Sequence, residues 1–279
     1  ENINTKVNVK KLKSNFLKIS TKTEIDRKEF LGYLYVAYHL TLNRSLKNIK
    51  YLVHHSHGIK ETNKVLKDFP NSKILVTIRN PLANLKSGLK HWFKYDKKRI
   101  SIAHTFTYMY RIRQDLKHLL SLKNKKIFIK LEEANLLKTK KKICKFLKIK
   151  IQKNIYKATL AGKLWEGDRL SPVKSRRGEY IKSINKNDWK NYFAQNETIL
   201  LAFIYSDYKK FGYDMGKLKF LEKIKNFIKI FSIFSFEKFV FKNSNLLNYN
   251  NTKYLLLRLA YLTLIFLKLD YILKSKHLS

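Results

Sequence analysis

One cysteine, Cys144, stands among 279 residues. A disulfide framework is therefore excluded, as is any cysteine-built zinc or iron–sulfur centre, and the chain suits a reducing cytosol. Glycine is also scarce, at eight. No pair forms GxGxxG. The one five-residue spacing, Gly162 to Gly167, runs into Asp168-Arg169 rather than Lys-Ser/Thr. Neither a phosphate-binding P-loop nor a dinucleotide fingerprint is present. The basic start is not followed by an apolar run, so no secretory signal is expected. The first residue is Glu1, which fits a processed chain or a fragment. Acidic residues are few: 20 Asp+Glu face 60 Lys+Arg, for a formal charge of +40 and a pI of about 10.1. Such a chain attracts anions, whether nucleic acid, acidic lipid or phosphorylated and sulfated small molecules.

Apolar residues are plentiful. The chain is 44% hydrophobic and 14% aromatic, enough for a real core and too much for disorder. Nearly all the positive charge is Lys, spread as on solvated faces, and only about ten residues are Arg, so the Arg positions carry more information. Residues 1–24 read as a basic arm, a loop or partly ordered segment. A helix is predicted over 25–47, a short strand over Lys50–His54 and a helix over Lys60–Asp68. Lys73–Ile78 (KILVTI) is a continuous β-branched run, as in a buried parallel strand. Asn80 is a good N-cap and Pro81 suits the first helical position, so a helix follows to about Phe93. Further elements are predicted at Ile100–Leu122 (helix), Lys126–Leu131 (strand), Ala134–Leu147 (helix) and Asn187–Phe211 (helix), with a loop over Trp165–Tyr180. Strands alternating with helices give an α/β fold, a parallel β-sheet flanked by helices. The domain spans 25–216, with a C-terminal helical extension at 217–279.

That extension opens with a basic amphipathic helix over 217–234, in which Leu221, Ile224, Ile228 and Phe231 share one face among lysines. In residues 254–273, Arg258, Lys268 and Asp270 interrupt the apolar run. Only nine residues separate the two basic ones, far short of the ~20 a transmembrane helix needs. The tail fits helices on a membrane surface, or a helical cap packed on the core or on a second subunit.

Ligands of open α/β sheets bind beyond the carboxyl ends of the strands, where the next helix offers N–H groups and a positive dipole end. Arg79 is the first residue off its strand, and Ser87 lies on the helix that follows. A guanidinium binds phosphate oxygens through parallel bonds and a hydroxyl adds another, although a surface Arg and a helix Ser would give the same sequence. His54, His55 and His57 cluster after the KYLV segment. No carboxylate or Cys is spaced to complete a metal site, and a histidine general base is the better functional reading. Arg176-Arg177-Gly178 sets two of the rare Arg beside a Gly that allows close backbone approach, or else marks a basic solvated loop.

Taken in order, these pieces resemble the PAPS-dependent sulfotransferase family, whose donor is 3′-phosphoadenosine 5′-phosphosulfate (PAPS) and whose fold is P-loop NTPase-like. PNSKILVTIRNPLANLKSGLKHW carries the family's R-[DN]-P-x5-S pattern at Arg79, Asn80, Pro81 and Ser87. His57 lies 22 residues before Arg79, where the cytosolic members hold their catalytic His. IFIKLEE is similar to the family's aromatic-Glu-Asp strand end, with Glu132 and Glu133 in the acidic places and Leu131 in the aromatic one. Arg176-Arg177-Gly178 matches the late R-K-G element. The D-W-K-N-x-F and A-Q-N-E stretches match residues 188–193 and 194–197. The resemblance runs from about residue 50 to 215. The 5′-phosphosulfate loop, a Lys/Arg-Ser-Gly-Thr turn, does not occur in residues 1–56, and its strand and loop would belong before Glu1.

The resemblance implies sulfuryl transfer from PAPS to a hydroxyl, with no metal. Arg79, Ser87, Arg176, Arg177 and Gly178 would bind the 3′-phosphate, and His57 would act as base. The acceptor would be a saccharide, lipid or small molecule, a lipid-linked glycan suiting a tail at the membrane surface of a cytoplasmic protein. Two alternatives stay open: an inactive nucleotide-binding module of this type, and a basic protein of membrane surfaces or nucleic acid. No nucleic-acid reader motif occurs, and the lysines form no single stripe.

Overall fold

In the computed structural model of the protein, the described residues are 7–47, 49–95, 102–152, 155, 159–160, 163–164, 189, 191–214, 234–238 and 249–267. They are mostly helical, with a two-stranded parallel sheet. That is compatible with the expected α/β class. Residues 217–233 of the amphipathic helix predicted over 217–234, and the loop predicted over Trp165–Tyr180, lie outside the described residues. The chain divides into two compact units: 1–76 with 122–127 and 135–182, and 77–121 with 128–134 and 183–279.

The first unit begins with a helix, α1 (Val9–Ile19), where a loop or partly ordered arm is expected. Asn8 caps it, accepting the Lys11 N–H at 3.0 Å. Its apolar stripe, Val9, Leu12, Phe16 and Ile19 at helical spacing, lies among four lysines. Phe16 meets Phe30 and Tyr33 of α2 (Arg27–Thr41) with ring centroids 5.3 and 6.3 Å apart. An Asp26–Glu29 capping box starts α2. Arg27 then grips Asp68 at the end of α3 (Ile59–Asp68) through two bonds of 2.5 and 2.6 Å.

Lys50–His54 is not a strand. The segment is exposed and enters no ladder. Its side chains instead cap the carbonyl end of α6 (Leu137–Leu147). Lys50 Nζ donates to Lys148 O at 3.0 Å and the Tyr51 hydroxyl to Leu147 O. Lys73 reaches Phe146 O at 3.0 Å. Cations and donors at a helix C-terminus satisfy its orphan carbonyls and its dipole.

The sheet pairs β1 (Ile74–Ile78) with β2 (Lys126–Lys130), and the Ile74 N–H bonds Lys125 O at 2.9 Å. Residues 74–76 and 126–127 belong to the first unit, and 77–78 and 128–130 to the second. A two-residue antiparallel ribbon, β3 (Thr159–Leu160) with β4 (Lys163–Leu164), completes the described strands.

In the second unit, α4 (Pro81–Tyr95) follows β1 and α5 (Ile102–Ser121) precedes β2. The long helix expected to Phe211 divides into α7 (Gln195–Ile204) and a 3₁₀ turn at Ser206–Phe211, closed by Gly212 at φ +71°. Buried tyrosines bind this stretch to α5: Tyr205 donates to Met109 O at 2.9 Å and Tyr208 to Ile112 O at 3.3 Å. Arg113 donates to Ile204 O. Last comes α8 (Tyr249–Phe266), the longest described element of the tail. It packs on α5, with Tyr261 and Tyr110 ring centroids 3.9 Å apart. Arg258, which interrupts the apolar run in the sequence, is buried and paired with buried Glu237 at 2.7 Å. Among the described residues, no helix is long and apolar enough to cross a membrane.

Candidate anion site at the β1–α4 junction

Val76 and Ile78 of β1 are buried, so the strand fixes the residues that leave its carboxyl end. Arg79 comes first, half-buried. Its Nε is buried and has no hydrogen-bond partner. Asn80 follows, buried, and its side-chain oxygen accepts the N–H groups of Leu82 at 3.0 Å and Ala83 at 3.2 Å. Asn80 O accepts from Asn84 at 2.9 Å, and Pro81 has no N–H to offer. The Asn80 N–H donates to Glu132 at 2.8 Å. Every first-turn donor of α4 is thereby taken, so the helix terminus does not supply the unpaired N–H groups expected of it. What remains for an anion is side-chain chemistry.

Glu132 sits in the 3₁₀ turn after β2 (Leu131–Glu133). Its second oxygen accepts the Tyr213 hydroxyl at 2.7 Å, which also lies 3.3 Å from Ile78 O. Burial, and then the bond to Glu132, push the Tyr213 phenol far above its ordinary value. Glu133, the other acidic residue of the motif, pairs instead with Lys130 at 3.5 Å.

On α4, Asn84, Ser87 and Gly88 share the face that continues from Asn80. Ser87 is exposed. Tyr108 of α5 lies against this face, and its hydroxyl donates to Asn84 Oδ1 at 3.1 Å or Asn84 O at 3.3 Å. A β-carbon on Gly88 would stand 2.2 Å from a Tyr108 ring carbon, so only glycine lets the ring lie there. Burial raises the Tyr108 phenol, and the positive charges of Arg79 and Arg111 oppose that shift. Lys86, buried, and Lys90, exposed, each hold Nζ 5.9 Å from the Tyr192 ring, within cation–π range. Trp189 and Phe193, which matched the D-W-K-N-x-F stretch, are buried core residues.

The remaining candidates lie elsewhere. His57 is in the first unit, exposed on the loop before α3. Its N–H donates to Glu61 at 2.8 Å and its ring is 4.3 Å from that of His55. His54 Nδ1 is 3.1 Å from the Tyr35 hydroxyl. Among the described residues, no three His, Cys, Asp or Glu side chains form a metal-ligand set. Arg176, Arg177 and Gly178 lie outside the described residues. Arg79 and Ser87 both belong to the second unit, Arg79 at the end of β1 and Ser87 exposed, six residues after Pro81 on α4. Sequence motifs did not mark Asn84 or Tyr108; a glycine in the middle of α4, which weakens a helix by about 1 kcal/mol relative to Ala, is the signal that points to a close approach.

No protein-family model, no curated protein and no solved structure matches the chain.

Proposed function

We propose that the chain is a PAPS-dependent sulfotransferase domain in which Arg79 and Ser87 hold the 3′-phosphate of the nucleotide. The observation that carries this is the Arg79 Nε, a buried donor with no partner at the carboxyl end of a strand. An unsatisfied buried donor costs roughly 1–3 kcal/mol, more for a charged group. A phosphate oxygen would remove that cost with a charge-assisted bond. The R-N-P-x5-S spacing supports the same choice of ligand.

In the transfer, an acceptor hydroxyl oxygen attacks sulfur and forms the new S–O bond. The bond from sulfur to the bridging phosphate oxygen breaks in line. Adenosine 3′,5′-bisphosphate leaves with that electron pair, and the acceptor proton passes to His57. Arg176, Arg177 and the Gly178 backbone join the 3′-phosphate contacts. Little covalent chemistry falls to the protein, so positioning and charge stabilisation dominate. The proposed acceptor is a saccharide, with a lipid-linked glycan favoured by the exposed Leu256 and Leu257 of α8 and Leu267 just after it, which suit a peripheral membrane contact in the cytoplasm.

A second reading, an inactive nucleotide-binding module, is favoured by one feature: residues 1–56 contain no phosphosulfate turn. Isothermal titration with adenosine 3′,5′-bisphosphate tests what the two readings share. Wild type should bind and Arg79→Ala should lose at least tenfold in affinity; equal affinity in the two proteins rejects the cradle. Transfer from labelled PAPS to a saccharide acceptor panel then separates enzyme from module, and full turnover in His57→Ala removes His57 as base.

A further inference from the structure

Asn84 lies four residues after Asn80 and three before Ser87, so it stands between them on one face of α4. Its side-chain oxygen accepts the Tyr108 hydroxyl at 3.1 Å. With the Tyr108 proton on Oδ1, the shorter of its two contacts with Asn84, the amide oxygen faces Tyr108 and the –NH₂ is turned away, carrying two donors. Among the described residues, no partner takes those donors. Arg79, two residues before the start of α4, has its own unpartnered buried Nε.

We propose that Asn84 is a third donor to the anion held by Arg79 and Ser87, and that Tyr108 is the positioning residue that aims its amide. Gly88 makes this possible, because any side chain there would push the Tyr108 ring off the helix. The assignment rests on the reading of this junction as a 3′-phosphate site. It also deepens that reading. A terminal phosphate monoester presents three oxygens, which a guanidinium, an amide and a hydroxyl can each engage. A neutral amide adds a bond without adding to the positive charge, so Asn84 favours a directional oxyanion over any diffuse polyanion.

The test compares two probes on the full chain, adenosine 3′,5′-bisphosphate and adenosine 5′-monophosphate, which lacks the 3′-phosphate. The ratio of their affinities is the readout, because damage to the fold lowers both affinities together. Wild type should prefer the bisphosphate. Asn84→Ala should cut that preference about tenfold, the usual effect of losing a hydrogen bond to a charged group. Asn84→Asp should cut it further by placing a carboxylate against the phosphate. Tyr108→Phe should lower the preference by a smaller factor and leave the monophosphate affinity unchanged, which a merely structural Tyr108 would not do. If Arg79→Ala abolishes the preference while Asn84→Ala and Asn84→Asp keep it, Asn84 is not a ligand and the 3′-phosphate reading survives. If wild type shows no preference, both are wrong.

Discussion

Glu132 accepts the Asn80 N–H at 2.8 Å with one oxygen and the Tyr213 hydroxyl at 2.7 Å with the other. One carboxylate thus ties the start of α4 to the turn after β2 and to the chain beyond α7. It also satisfies a helix-terminal donor that burial would otherwise leave unpaired. Glu132→Ala should destabilise the protein by about 1–3 kcal/mol in urea denaturation, the cost of a buried donor without an acceptor. Glu132→Gln should restore most of this, since its oxygen can accept from Asn80 while its –NH₂ donates to the Tyr213 oxygen. Equal stability of all three proteins would show that the bond contributes nothing.

Alkaline pH should expose the buried phenols. Tyr110, Tyr205, Tyr208 and Tyr213 are each pushed upward, burial being the largest cause. A phenol whose folded pKa exceeds its unfolded value of about 10 favours the fold while it stays neutral. Its contribution is complete below pH ~10 and is lost as pH climbs toward the folded value. Melting temperatures above pH ~10 should therefore fall more steeply for wild type than for Tyr213→Phe, which has one such group fewer. Using the difference between the two proteins cancels the opposite effect of lysine neutralisation on a +40 chain. Parallel curves would remove Tyr213 from the alkaline transition.

Gly88→Ala sets two magnitudes against each other. Alanine gains about 1 kcal/mol of helix propensity over glycine. Its β-carbon, however, would stand 2.2 Å from the Tyr108 ring, and overpacking of this kind costs about 1–3 kcal/mol. The clash should win, giving a less stable protein. In a Tyr108→Ala background the clash is gone, and the same substitution should then stabilise. A Gly88→Ala effect of the same sign in both backgrounds would contradict the close approach.

The elements legible in the sequence are those whose signal is local. KILVTI followed by Arg-Asn-Pro marks β1, the Asn80 cap and the start of α4 within nine residues, and the structure has all three. The KYLVH segment has the composition of a strand and no ladder to join, because its partners are α6 carbonyls about a hundred residues away. The α1 stripe of Val9, Leu12, Phe16 and Ile19 is short and set among lysines, and it finds a surface to pack on in α2, where Phe16 meets Phe30 and Tyr33. The proposed ligands Arg79 and Ser87 follow from spacing. The sealing of the helix terminus by Asn80 and Glu132 does not, since Glu132 lies 52 residues from its partner. A hydrogen bond between distant residues leaves no period to read.

Arg258 shows the same limit most sharply, and its prediction tests a buried charge. In the sequence it breaks an apolar run; in the fold it is 1% exposed, bonded to a Glu237 that is equally buried and set over the Phe234 ring at 5.2 Å. Glu237 also accepts the Phe234 N–H at 2.9 Å. Burial raises its carboxyl, and Arg258 offsets part of that rise. Arg258→Met removes the offset and strands the carboxylate, so it should cost about 3–5 kcal/mol. The further-raised carboxyl binds a proton more readily folded than unfolded, so stability falls as pH rises through the folded pKa. The loss in Arg258→Met should accordingly grow between pH ~5 and ~8. Adding Glu237→Gln should recover part of it and flatten that pH dependence, because neither member of the former pair is then charged. Urea denaturation of the two variants at both pH values decides the matter: a double variant less stable than Arg258→Met would mean that the lost bonds outweigh the stranded charge.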